Sequence, residues 1–277
     1  MTATSPSPDR YPTPVSSLSP HPPVIALLTD FGLQDHFVGT MKAVIASIAP
    51  QTTVMDISHG VAPQDVRGGG FTLWASYRFF PVGTIFLAVV DPGVGSKRGI
   101  RVVWNERYIF IAPDNGLLDY VRSEEKDLRA VEVDTKDSRY TLAEISSTFH
   151  GRDIFSPLAA YLSQGVDPDS LGRSVDIGII DSPFLSSTSK GEAFVVQVDH
   201  FGNCILNIRN SMLEKIASIT TVQVTVSDVV RYYGEAPEAT PCLIEGSNGL
   251  VEVFIKNGNA ARTMGASGGS SVSVRWR

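Results

Sequence analysis

The sequence predicts two domains, an N-terminal α/β domain around a mainly parallel sheet and a smaller all-β domain behind it. Three observations carry this expectation. Between Val24 and Val90, short apolar runs alternate with segments of helical spacing. Beyond residue 192, short β-rich runs follow one another with turn residues between them. A stretch rich in Ser, Pro and Thr separates the two regions. The expected boundaries are a leader over 1–23, an α/β domain over 24–183, a linker over 184–191 and a β domain over 192–277.

The leader carries seven of the seventeen prolines and few large apolar residues, too little to offset the entropy of ordering. Val24–Leu28 is a continuous apolar strand that ends in Thr29-Asp30-Phe31-Gly32. Val38, Met41, Val44, Ile45 and Ile48 then recur at helical spacing, and Pro50 stops the helix. A second strand, Thr53–Ile57, ends at Ser58-His59-Gly60. Pro63 suits a first helical turn, and a helix over Asp65–Phe80 follows. Its Gly68-Gly69-Gly70 run would weaken a solvated helix by up to about 1 kcal/mol per glycine. Such a run makes sense where a backbone or ligand comes close. A third strand, Thr84–Val90, delivers Asp91. This is the pattern of a Rossmann-like sheet, in which functional groups gather at the carboxyl ends of the strands, so Asp30, His59 and Asp91 should share one mouth.

Ile100–Trp104 and Tyr108–Ile111 read as a hairpin, and Asp153–Leu162 as a helix opening just after His150. In the β domain, Ala193–Val198, Thr221–Val226, Cys242–Ile244, Leu250–Ile255 and Ser271–Trp276 read as strands, with no second set of helices.

A net charge of -6 and the lack of a Lys/Arg stripe argue against nucleic acid as a partner. No apolar run approaches a membrane span, and no secretory signal opens the chain, so a cytoplasmic protein is expected. Cys204 and Cys242 have no metal-ligand spacing, the histidines do not supply it either, and no metal is expected. G-x-G-x-x-G after the first strand, G-x-x-x-x-G-K-[ST] and G-x-S-x-G are all absent, which removes the usual support for hydride transfer, P-loop chemistry and serine hydrolysis.

The chemistry-bearing residues sit at turns. Asp91 opens D-P-G-V-G, Arg98 follows, and His150 lies in S-S-T-F-H-G-R-D. A carboxylate, a guanidinium and an imidazole can together hold and polarise one small nucleophile. Asp30 is placed to accept two hydroxyls of a ribose, or to cap the following turn. In D-H-F-G-N, Asp199 could meet a cationic amine, Phe201 could stack on an adenine and Asn203 could pair with its edge; a β-turn built on Gly202-Asn203 explains the same residues.

Taken in order, T-D-F-G at 29–32, M-K-A at 41–43, D-P-G-V-G with Arg98, A-P-D-N-G-L at 112–117, S-S-T-F-H-G-R-D at 146–153, D-H-F-G-N at 199–203 and G-S-N-G-L at 246–250 resemble the S-adenosylmethionine hydroxide adenosyltransferase family, which is related to the fluorinases and chlorinases. The resemblance implies a barrel-like C-terminal domain and a homotrimer with active sites between subunits. It implies cleavage of S-adenosylmethionine by water to adenosine and L-methionine, without a cofactor. By motif, Asp91, Arg98 and His150 fall on the water-activating triad, Asp30 on the ribose-binding acid and Asp199 on the amine contact. Phe201 and Asn203 fall on adenine contacts, Ser247 on the loop near the methionine carboxylate, and Ala260 on a tail position matched less closely. The halogenase branch carries other residues at Asp91, Gly95 and His150 and often an insertion after Arg98. Here a carboxylate at Asp91 would repel a halide. A module that binds S-adenosylmethionine or adenosine without turnover is the remaining alternative.

Overall fold

The computed structural model describes residues 22–136 and 138–277, which form two compact units, one ending at Asp181 and one spanning Ser182–Arg277. The leader expected over 1–23 falls, up to residue 21, outside the described residues.

The first unit runs β1 (Val24–Thr29), α1 (Phe37–Ile48), β2 (Thr53–Ser58), α2 (Val66–Ser76), β3 (Ile85–Val89), β4 (Ile100–Trp104), β5 (Ile109–Pro113), α3 (Asp119–Arg122), β6 (Arg129–Val133), α4 (Ser156–Ser163) and β7 (Gly172–Ser174). Its sheet has the order β2-β1-β3-β5-β4-β6-β7. The first four strands in that order are mutually parallel, and β4, β6 and β7 add antiparallel pairings. The sheet is therefore mixed, with its parallel part formed by the apolar runs read from the sequence. Every residue of β3 is buried, as expected for a strand covered on both faces. Ile25, Leu27, Ile85, Leu87 and Val89 pack with α1 and α4 in one core. The alternate residues meet the other helical layer, where Phe86 contacts Tyr77 edge-on and Phe71 contacts Tyr120.

β6 and β7 were not expected from the sequence. Arg129–Val133 is short, opens on an exposed arginine, and is bounded by charged loops that mask its alternation. The helix expected over Asp153–Leu162 is two pieces, a π-helical turn Gly151–Phe155 and then α4. Pro63 does not enter α2, whose N-cap is Asp65, accepting the Gly68 N–H at 2.9 Å.

The second unit carries β8 (Glu192–Val198), β9 (Cys204–Arg209), β10 (Ile216–Thr220), β11 (Thr225–Val226), β12 (Pro241–Glu245), β13 (Leu250–Ile255), α5 (Ala260–Met264) and β14 (Ser271–Trp276). The order β11-β10-β14-β8-β9-β13-β12 is antiparallel throughout. The chain leaving β11 returns to β12, where Val229 bridges Leu243, so the sheet nearly closes into a barrel. Of the strand expected over Thr221–Val226, only Thr225–Val226 is strand, as β11; the residues before it form the turn from β10, closed by Thr221 N–H to Val224 O at 2.9 Å. β9 was hidden by Asn207, a buried amide in mid-strand that accepts from Phe194 N–H and donates to Pro183 O. α5, in a region where no helix was expected, is capped by Asn259, which accepts the Arg262 N–H at 2.7 Å, and plugs the core with Ala260 and Met264. Phe184 and Leu185 pack on this unit, Leu185 bridging Ile208.

The glycine run of α2 serves the approach of another backbone. A Cβ on Gly70 would lie 2.7 Å from Leu117 O, and one on Gly69 would lie 2.9 Å from the Val90 side chain. Gly70→Ala is expected to destabilise the fold by about 1–3 kcal/mol through overpacking, despite the better helix propensity of alanine. Urea unfolding followed by circular dichroism measures this, and a stability gain would show that the contact yields freely.

Candidate active site

β2, β1 and β3 lie side by side, so their carboxyl ends bring His59, Asp30 and Asp91 to one edge of the sheet. Thr29 Oγ1 accepts the Phe31 N–H at 3.2 Å and lies 2.8 Å from His59 Nδ1, to which its hydroxyl can donate. The Gly32 N–H donates to His59 O at 2.8 Å, so buried His59 ties the T-D-F-G loop to the neighbouring strand. His59 Nε2 is 3.1 Å from Asp56 Oδ1. Asp30 Oδ2 accepts the Gln64 N–H at 2.7 Å, and Gln64 holds a left-handed φ of 67° to deliver it. Strained non-glycine backbone of this kind collects at working sites.

Asn115 secures the end of β3 by donating Nδ2 to Val90 O at 2.9 Å. The D-P-G-V-G turn then folds back on itself, with Val94 N–H to Asp91 O at 3.2 Å and Ser96 N–H to Gly93 O at 3.0 Å. Arg98 Nε donates to both oxygens of Asp91, at 3.0 and 2.9 Å, and Nη2 donates to Oδ2 as well. The same Nη2 lies 3.0 Å from His150 Nδ1. The arginine side chain is 10% exposed and the aspartate 4%, and the guanidinium stands over the Phe155 ring at 5.6 Å. The three residues expected to converge are thus in direct contact.

This contact fixes the state of the imidazole. A guanidinium only donates, so Nδ1 supplies a lone pair and the neutral ring carries its proton on Nε2. Burial, and next the Arg98 charge, hold the His150 pKa below its usual value, against the pull of Asp91 and Asp153. Two turns meet here at close quarters. Gly95 has φ +76°, and a Cβ on it would lie 2.2 Å from Ser147 O. A side chain at Gly95 would therefore push the Arg98 turn away from the His150 segment. Phe31 and Phe149 crowd Gly151, so the T-D-F-G loop packs beside His150.

The other sequence-expected residues lie in the second unit. Asp199 Oδ1 accepts the N–H groups of Phe201 at 2.9 Å and Asn203 at 2.8 Å, and Oδ2 accepts Asn203 Nδ2 at 2.9 Å. The D-H-F-G-N turn is therefore self-bonded, with Gly202 at φ +86°. Phe201 projects from it, 73% exposed, whereas Asn203 is buried. Ser247 is exposed in the β12–β13 turn. Ala260 has its side chain in the barrel core, and the next residue, Ala261, donates its N–H to Gly202 O at 2.9 Å, joining α5 to the D-H-F-G-N turn.

Glu252 was missed. It is 6% exposed, accepts the Tyr233 hydroxyl at 3.0 Å, and has its other oxygen against Gly246, where a Cβ would lie 2.3 Å away. Burial pushes its carboxyl up, the Tyr233 hydroxyl partly opposes this, and the charge of Asp199 adds to it. An acid inside the apolar run L-V-E-V-F-I was the available signal. Among the described residues, no group of three or more His, Cys, Asp or Glu is arranged to hold a metal ion, and no helix is long and apolar enough to cross a membrane.

Family profiles match both units. That of the SAM hydroxide adenosyltransferase N-terminal domain covers residues 25–172, and that of the C-terminal domain covers 193–273. The chain belongs to the SAM hydroxide adenosyltransferase family. It is 35% identical over 255 residues to an (R)-S-adenosyl-L-methionine hydrolase of Thermus thermophilus, across 90% of this chain and 98% of that one. A fluorinase of an Actinoplanes species is 32% identical over 222 residues, across 70% of this chain and 74% of the fluorinase. The crystal structure of an uncharacterized conserved protein from Thermotoga maritima superposes with a TM-score of 0.81 at 30% identity, covering 91% of this chain and all of that one.

The depressed His150 pKa has a consequence for folding. Between that value and the ordinary 6.5 the unfolded chain binds a proton that the native state refuses. Stability therefore rises with pH across this window and this contribution levels off above it. His150→Gln is expected to flatten that slope in urea unfolding from about pH 5 to pH 8, where histidine is the side chain that titrates. An unchanged slope would assign it to other groups.

Proposed function

We propose that this protein hydrolyses (R)-S-adenosyl-L-methionine to adenosine and L-methionine; its Thermus relative is named an (R)-S-adenosyl-L-methionine hydrolase. The observation that carries the reading is the Asp91–Arg98–His150 cluster, closed by direct hydrogen bonds in a chain of this family. The substrate brings its own leaving group, since a sulfonium departs as a neutral thioether and needs no general acid. What the enzyme must supply is an oriented oxygen nucleophile in line with the C5′–S bond.

The oxygen of water attacks C5′, the C–O bond forms as the C–S bond breaks, and sulfur keeps the bonding pair. One water proton ends on the 5′ hydroxyl and the other is released, so a sulfonium and water give adenosine, methionine and H⁺. Arg98 stabilises hydroxide character on the nucleophile, His150 as a neutral ring helps to orient it, and the Asp91 carboxylate takes up its proton. The lowered pKa of His150 suits this, because a neutral ring adds no second positive charge beside Arg98. Holding the water and C5′ in line can supply about 7–11 kcal/mol of the barrier in favourable cases. Asp30 has Oδ1 free of partners among the described residues, which suits the ribose hydroxyls. Asp199 and buried Glu252 offer two acids for the substrate amine, with Ser247 near its carboxylate and Phe201 and Asn203 for the adenine.

Halide transfer, the activity named for the fluorinase relative, is the second reading. The ion pair disfavours it, because Asp91 already neutralises the guanidinium that would attract a halide. We further propose a cytoplasmic homotrimer with active sites between subunits, a Rossmann-like first unit, and a reaction without cofactor or metal. Exposed Phe201 is consistent with a site completed by a neighbouring subunit.

The product assay is decisive. Purified protein given S-adenosylmethionine with chloride or fluoride present should yield adenosine and no 5′-halo-5′-deoxyadenosine, with turnover surviving strong chelation. Haloadenosine as the main product rejects hydrolysis, and tight binding without product identifies a binding module. His150→Ala and Arg98→Lys should each lower kcat by about 100-fold or more while KM stays near the parent value, since each group acts on the transition state. Light scattering after gel filtration should give three times the monomer mass.

A further inference from the structure

Asp153 is a charged residue that the proposed chemistry leaves without a task. It is 0% exposed, and a carboxylate is withdrawn from water only where something holds it. Its Oδ2 accepts the Ser146 N–H at 2.8 Å and the Ser146 hydroxyl at 2.7 Å, while Oδ1 accepts Arg152 Nε. Ser146 Oγ in turn accepts the Phe149 N–H at 3.1 Å. The carbonyl of Phe149 receives the N–H groups of Arg152 and Asp153, and the carbonyl of Asp153 receives the Leu142 N–H at 2.8 Å. Segment 146–149 is thereby held at Ser146 by the buried carboxylate, and at Phe149 by the Ser146 hydroxyl and the backbone N–H groups of Arg152 and Asp153.

That segment is also the surface against which the Arg98 turn rests, since Ser147 O is the atom that only a glycine at position 95 can approach. His150 follows it directly and opens the π-helical turn that contains Asp153. Turns of this kind place one side chain out of α-helical register and recur at functional sites. We propose that Asp153, acting through Ser146, is a positioning residue of the hydrolysis, setting the separation of Arg98 and His150 and with it the tautomer of the imidazole. The inference rests on the hydrolytic reading for its kinetics, but its geometry can be tested without turnover.

The test compares Ser146→Ala, Ser146→Thr and Asp153→Asn with the parent as full chains, using ¹⁵N-histidine labelling with His150 assigned by its substitution. In the parent, Nδ1 should resonate as an unprotonated acceptor and Nε2 as N–H. In Ser146→Ala and Asp153→Asn the ring should average between tautomers, and kcat for S-adenosylmethionine should fall about tenfold to a hundredfold with KM within a few-fold. Ser146→Thr, which keeps the hydroxyl, should recover turnover relative to Ser146→Ala. Retention of the single parent tautomer in the variants overturns the proposal, as does a rise in KM at constant kcat. If Asp153→Asn does not fold, the two Ser146 variants decide alone. A parent that makes no adenosine would reject the hydrolytic reading, while the tautomer measurement would still judge the positioning role.

Discussion

One guanidinium shared between a carboxylate and an imidazole nitrogen sets the terms for the rest of the first unit. Arg98 is nearly withdrawn from solvent, and so is Asp91, so neither charge would tolerate loss of the other. Removing one member of such a pair commonly costs about 3–5 kcal/mol, because the survivor is left uncompensated. The third contact makes the pair chemically useful. By donating to Nδ1, Arg98 forbids a proton there and selects one neutral form of His150. The cluster therefore stabilises the fold and prepares the ring with the same bonds.

Each member comes from a different structural device. Asp91 is carried to the sheet edge by a fully buried strand, and Asn115 holds the Val90 carbonyl that follows it. Arg98 is returned toward Asp91 by a glycine turn, and His150 is offered by a π-helical turn backed by a buried acid. Distant parts of the sequence become neighbours because their anchors are rigid, which is how active sites resist thermal loosening. In the second unit a self-bonded hairpin turn and a capped short helix brace one another through Gly202 and Ala261.

How much of this was legible depended on whether a residue's neighbours were local. The runs from Val24 and Thr84 are apolar enough to declare buried strands, the run from Thr53 forms the more exposed edge strand, and the ends of all three located Asp30, His59 and Asp91. Asp91, Arg98 and His150 were singled out for their chemistry at turns, and they do touch. What stayed hidden relies on partners far along the chain. β9 carries an amide whose partners are Phe194 and Pro183, and β6 finds its pairing on β4 and β7. Glu252 finds its hydrogen-bond partner in Tyr233, which arrives from the β11–β12 connection, and Asp153 looked like one more charge in H-G-R-D. The glycine run of α2 could be seen as unusual, but only the fold names Leu117 as the backbone it admits.

The abutment of Gly95 on the Ser147 carbonyl bears on how such a centre could diversify. Exchanging Asp91 or His150 alone would alter the chemistry presented, yet leave two backbones locked at the same spacing. Any side chain at position 95 instead forces both turns to relocate. A lineage moving from one nucleophile to another would thus have to remodel loop paths before new side chains could be useful, and intermediates with only the side chains changed would gain little.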